Sequence, residues 1–275
     1  MKRQLIARAD DLGSSNSANK AIGQVVEAGV IRNVSIMACG PCVEAAAQMF
    51  SHRKDVCFGM HTTLNAEWDQ VKWGPVSMPE PEDALVDEKG YFLQDPSFFL
   101  QTKPTVERVM REAEAQLERL HRLGFDIRYI DSHMLSEAYI EGMDEAMADF
   151  ARKKGLVDHM YFYHLLPGMQ MLVEKPERAA KVLAGIPAGQ YFILTHPSLD
   201  TEEMRRVGNA GVSGIDVAKG RAKETEIFSA PGLKGMLEAA EISCIRYDEA
   251  VCEKRMTLAE LQAEMAKMSE SEDKG

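Results

Sequence analysis

The sequence predicts an α/β fold: one domain built as a parallel β/α barrel-like sheet of about seven strands, with an irregular insertion after the third strand. Three observations predict it. Apolar runs of strand length alternate with segments of helical period along most of the 275 residues, and such alternation implies a parallel sheet with right-handed crossovers. The number of repeats favours a closed or nearly closed ring over an open, doubly wound sheet. Polar residues able to do chemistry come directly after several of the apolar runs, which is where parallel sheets place their active sites.

Gln4–Ala9 reads as the first strand and Asn16–Ala28 as a helix that Gly29 ends. Asn33–Ala38 and Asp55–Met60 read as strands on either side of a helix, Val43–Phe50. The stretch Asn65–Asp95 has no period, and it contains both tryptophans, Trp68 and Trp73. Helical period returns at Thr105–Leu123, where Val106, Val109, Met110, Ala113, Leu117 and Leu120 make an apolar stripe closed by Gly124. That stripe is expected to be core or subunit contact. Ile127–Ile130, Val157–Tyr163, Tyr191–Thr195 and Ile242–Tyr247 read as strands. Glu137–Lys154, Pro176–Leu183, Pro231–Ala240 and Thr257–Met268 read as helices, and Gly208–Gly214 as a mobile loop. The domain is expected to span residues 1–268, with an acidic disordered tail at 269–275.

The formal net charge of −11 argues against nucleic-acid binding, which needs a basic surface. No segment approaches the roughly 20 apolar residues of a membrane span. Asp10 and Asp11 interrupt the first apolar run before it could serve as a secretion signal. Five irregularly spaced cysteines point to the reducing cytoplasm. If the chain self-associates, a homodimer is expected, because twofold assemblies are the commonest.

The strongest residue-level signal is the position of the histidines. Four of the seven, His61, His133, His164 and His196, come just after predicted strands, and Asp10-Asp11 and Asp131 do the same. In a parallel sheet these groups would surround one mouth. His52, His121 and His159 are expected to be structural or solvated. Imidazoles and carboxylates meeting at one mouth suit a divalent metal with open positions. Two adjacent carboxylates leaving a buried strand are costly unless a positive charge compensates them. A metal on one would leave the other as general base. An acidic cluster at a helix N-terminus is the plainer alternative.

Ala9-Asp10-Asp11-Leu12-Gly13 resembles the A-D-D-F-G opening of the YdjC-like carbohydrate deacetylases. Gly59 to Leu64 resembles that family's G-x-H-x-T-L element. Ile130-Asp131-Ser132-His133 resembles its I-D-S-H-Q-H element, Leu194-Thr195-His196-Pro197 its M-x-H-P element, and Arg221 to Tyr247 its C-terminal course. The resemblance implies a barrel-like fold and removal of N-acetyl groups from acetylated amino sugars or short oligosaccharides. It implies that Asp11, His61 and His133 bind a divalent metal, Mg2+ or Zn2+, that Asp10 is the general base, and that His196 is an acid or oxyanion partner. Asp131 would orient a ligand histidine. The departures are Leu12 for Phe and the run Met134–Glu137, which lacks the later histidines.

Two other readings compete. Cys39-Gly40-Pro41-Cys42 after a strand resembles a thiol-disulfide oxidoreductase site. The altered Met134–Glu137 run would also fit a non-catalytic sugar-binding relative. Trp68 and Trp73 could stack on a sugar ring or form the core of a lid.

Overall fold

The computed structural model describes residues 2–78, 80, 83–167 and 176–264. The expected tail at 269–275, and the domain boundary before it, lie outside those residues. Among the described residues seven parallel strands form the sheet: β1 (Arg3–Leu12), β2 (Asn33–Ile36), β3 (Cys57–Thr62), β4 (Ile127–Ser132), β5 (Val157–Asp158), β6 (Gly189–Thr195) and β7 (Ile242–Cys244). Their order is β5-β4-β3-β2-β1-β6, with β7 paired to the first half of β1. Between β5 and β6 the ring is crossed by a single parallel bridge, Leu165 to Phe192. The sheet is therefore a half-barrel, with β5 and β6 at its two ends.

Among the described residues the helices include α1 (Asn16–Glu27), α2 (Val43–Phe50), α3 (Phe99–Thr102), α4 (Val106–Arg122), α5 (Met143–Lys154), α6 (Pro176–Gly185), α7 (Gly214–Ser229) and α8 (Pro231–Ala239), and residues 258–264 are also helical. Hydroxyl side chains cap the starts of α1, α4 and α7. Ser15 accepts from the Ala18 N–H at the start of α1, and Thr105 accepts from the Arg108 N–H at the start of α4. No helix among the described residues is long and apolar enough to cross a membrane.

Alternation along the strands divides the core in two. On β1, Leu5, Ala7 and Ala9 belong to the main core, which also takes in α1, α2 and α4, while Ile6 joins a second cluster with Tyr129, Phe162, Tyr163, Phe192 and Tyr247. Arg8 and Asp10 share the pleat face of Ile6. On β3, Cys57, Gly59 and His61 share one face, and a Cβ on Gly59 would fall within the Tyr129 ring. The glycine leaves room for that tyrosine beneath the site.

Several segments differ from the sequence expectation. The predicted strand Val157–Tyr163 pairs only over Val157–Asp158 and then turns into a 3-10 helix, His159–Tyr161. The Asp158 carboxylate caps that turn by accepting from the Met160 N–H. Helix α5 begins at Met143, because a kinked 3-10 segment occupies His133–Ala138. Helix α7 has no counterpart among the predicted elements. It buries only Ala218, Thr225 and Phe228, so no apolar stripe marks it. The Gly208–Gly214 loop is tied down: the Asp69 N–H donates to the Gly208 carbonyl, and the Asn209 amide donates to the Glu67 carbonyl.

Candidate metal centre and active site

The candidate site forms at the carboxyl ends of β1, β3 and β4. β1 runs into Asp10, which continues the strand, and Asp11, whose φ of 68° is left-handed. Such a backbone is uncommon outside glycine and breaks the alternation of side chains. The turn is braced from behind. The Gly13 N–H donates to Asn19 Oδ1 at 2.8 Å, and the Cys42 N–H donates to the Gly13 carbonyl at 2.9 Å. A Cβ on Gly40 would collide with the Gly13 carbonyl. The Cys39–Cys42 segment thus supports the Asp11 turn. Burial pushes the Cys39 thiol well up from its ordinary value, and both cysteines are free. Redox chemistry wants the opposite, an exposed thiol with a lowered pKa, so the oxidoreductase reading is not supported.

β3 and β4 pair in register, with His61 opposite Asp131. His61 Nδ1 lies 2.6 Å from Asp131 Oδ1. That contact turns Nε2 toward the mouth, 3.2 Å from His133 Nδ1 and 3.6 Å from Asp11 Oδ1. Asp11 Oδ1 is also 3.6 Å from His133 Nδ1. The three atoms form a triangle, and Asp11 Oδ1 is buried with no hydrogen-bond partner. Ligand atoms about 2 Å from one four-coordinate ion stand at comparable separations. Two imidazole nitrogens and one buried carboxylate oxygen that lacks a hydrogen-bond partner are a donor set that fits a divalent cation. Asp10, His61 and Asp131 form a second, overlapping group. Its carboxylates are already paired with Arg8.

Charge is balanced within the site. Burial opposes ionisation of Asp11, but Arg221, at 2.7 Å from Oδ2, and the three neighbouring histidines outweigh it and hold the carboxyl well below the usual range. Burial likewise opposes a charged His133. The Glu67 carboxylate, 2.9 Å from Nε2, outweighs it, with help from Asp11, and the imidazole is raised to about 9. Arg8, fully buried, grips both oxygens of Asp10 at 2.6 and 2.7 Å and also reaches Asp131 Oδ2 at 2.7 Å. Burial raises the Asp131 carboxyl, but Arg8 and His61 override it and hold it low.

The structure therefore brings Asp10, Asp11, His61, His133 and His196 to one cavity of about 630 Å3. The Glu224 carboxylate fixes the backbone of His196 by accepting from its N–H and from Thr195 Oγ1. His164 does not join them. With β5 ending early, it stands on the outside of the ring, its ring tilted against Tyr191. His159 is buried and bonded to the Tyr163 hydroxyl at 2.7 Å. Trp73 is buried, donating to the Asn65 carbonyl, and so belongs to the core of the insertion. Trp68 lines the cavity with Arg221 over its ring.

Sequence reasoning does not single out Arg8 or Glu67 and gives Arg221 no role. Arg8 carries a weak signal: an arginine in the middle of an apolar strand two residues before a paired acid. Glu67 carries none, because it lies in the aperiodic insertion and reaches His133 only through the fold.

The sequence of a carbohydrate deacetylase from Thermoanaerobacter pseudethanolicus is 27% identical over 226 residues, covering 75% of this chain and 86% of that protein. A carbohydrate deacetylase from Vibrio cholerae (strain M66-2) is 28% identical over 130 residues, 47% of this chain and 48% of its own length. The alignment thus spans about half of that second relative. Among solved structures, a protein of Enterococcus faecalis V583 named for cellobiose-phosphate cleavage shares the fold, with a TM-score of 0.71, 19% identity, and coverage of 90% of this chain and 99% of that one. With the family model for YdjC-like proteins matching residues 4–239, the chain belongs to the YdjC-like protein family.

Proposed function

We propose that this protein is a metal-dependent carbohydrate deacetylase that hydrolyses the N-acetyl amide of acetylated amino sugars. The observation that carries the proposal is the unpartnered, buried Asp11 Oδ1 facing His61 Nε2 and His133 Nδ1. The names of the sequence relatives point to the same chemistry.

In this reading Asp11, His61 and His133 hold the ion. Two imidazole donors suit zinc better than magnesium, which prefers oxygen. A bound divalent ion in such a site polarises the scissile carbonyl and makes water more acidic. Asp10 is the general base. Arg8 occupies one position on each Asp10 oxygen, and each oxygen keeps further lone pairs for a water molecule. The arginine fixes the direction in which the base points. His196, half-buried on the same cavity, donates a proton to the departing amine. Arg221 and Glu67 hold Asp11 and His133 in place from outside the triangle. Five free cysteines are what a reducing compartment maintains, and the cytoplasm is the proposed location.

The test combines metal analysis with acetate release. Asp10→Asn should retain bound metal and lose turnover. His61→Ala should lose both. Chelation should abolish acetate release from N-acetylated sugars and added zinc should restore it. Wild-type rates in either variant would refute the assignment.

A further inference from the structure

The polar groups of the cavity outside the ionisable cluster are already spent on the protein itself. Ser132 gives its hydroxyl proton to Glu137. The Tyr163 hydroxyl is bonded to His159. The Asn209 amide donates to the Glu67 carbonyl, and its oxygen accepts from the Gly211 and Val212 N–H groups. The rest of the lining is mostly apolar: Leu135, Leu165, Leu194 and Val212, with Met134, whose sulfur accepts from the Asn65 amide, and Trp68, whose ring carries a single N–H donor.

Two of these are placed at a cost. Met134 and Leu135 are consecutive non-glycine residues with φ of 52° and 50°. Each left-handed residue is a strained conformation that persists only when its surroundings enforce it, and such strain clusters at ligand sites. Here it sets Met134 on the cavity with 46% of its surface exposed, while Leu135, like Leu165 and Leu194, packs against the second core cluster. Val212, 37% exposed, reaches the cavity from the tied-down loop.

A free oligosaccharide presents hydroxyls at nearly every position, and its recognition needs donors and acceptors left open to it. This wall offers few. We propose that the site takes an N-acylated amino sugar bearing an apolar alkyl or aryl group beside the scissile amide, rather than an unsubstituted oligosaccharide. The inference rests on the deacetylase reading above. Apolar burial favours such a group by about fourfold per methylene removed from water.

The test uses the full chain loaded with zinc and four substrates: N-acetylglucosamine, di-N-acetylchitobiose, octyl N-acetylglucosaminide and N-octanoylglucosamine. One octyl-bearing substrate should exceed N-acetylglucosamine in kcat/KM by about tenfold or more. Whichever does so shows whether the apolar group lies on the glycosidic or the acyl side. Val212→Asn and Met134→Gln should each reduce that ratio by about threefold or more. Hydrolysis with chitobiose preferred over both octyl compounds overturns the inference and leaves the deacetylase reading standing. If no substrate is cleaved, calorimetric binding decides. Tighter binding of the octyl glycoside than of N-acetylglucosamine, weakened in Val212→Asn, supports the apolar subsite and removes the deacetylase reading. Equal binding removes both.

Discussion

His61 and Asp131 are register partners on β3 and β4, and the 2.6 Å contact between Nδ1 and Oδ1 sends the other imidazole nitrogen toward Asp11. The strand pairing thus selects which nitrogen is free. Carboxylates that orient ligand histidines typically contribute 10–100-fold in metal affinity. Asp131→Asn is expected to weaken zinc binding by about that factor, read by competition with a chromogenic chelator. Unchanged affinity would show that the pairing is only structural.

Arg8 is the only cation in contact with both Asp10 and Asp131 among the described residues. Burying it is costly, and burial alone would lower its pKa, but the two carboxylates reverse that and raise it further. Arg8→Met leaves two buried carboxylates without their partner. Loss of about 3–5 kcal/mol of stability is expected, measured by urea denaturation. A variant as stable as the parent would mean that the carboxylates find other partners.

Gly59→Ala places a methyl group inside the volume of the Tyr129 ring. Tyr129 is fully buried and its hydroxyl lies 2.9 Å from Ser35 Oγ, which also bonds Asp131. Overpacking at such a position costs about 1–3 kcal/mol. Thermal unfolding should register the loss, and metal affinity should fall with it, because the displaced ring disturbs the support of Asp131.

Glu203 caps the start of α1, accepting from the Asn16 and Ser17 N–H groups at 3.1 and 2.9 Å and from Ser17 Oγ at 2.6 Å. Burial pushes its carboxyl up, but these hydrogen bonds outweigh it and the net shift is downward from 4.5. A carboxyl with a lowered folded-state pKa stabilises fully above its unfolded value. That stability is lost as pH falls below about 4.5 and through the folded value. Glu203→Gln is expected to cost about 1 kcal/mol at neutral pH and to flatten the decline of stability in acid. Denaturation curves at pH 7 and at pH 4 separate the two effects, and parallel declines in both proteins would exclude Glu203 as a contributor.

Local order sets how much of the fold is legible in the chain. The Asn16–Glu27, Val43–Phe50 and Val106–Arg122 helices lie within a residue of their sequence boundaries, since each has a capping residue or an apolar stripe. On β1, β3 and β4 the apolar runs stop before the strands do, because the strands continue into the polar residues of the site. The Val157–Tyr163 run is longer than its strand. Its apolar residues turn into the barrel interior instead of pairing, and alternation cannot distinguish the two.

Periodicity along the chain was enough to establish the parallel α/β architecture, and the polar residues at the end of each apolar run were enough to gather Asp10, Asp11, His61, His133 and His196 into one set. That Arg8 spans Asp10 and Asp131, that Glu67 backs His133, and that His164 is left outside became visible only with the strands assembled. Those relations join residues from separate strands and loops. Strand register and the curl of the sheet bring them within hydrogen-bond reach, and neither leaves a local trace in the chain.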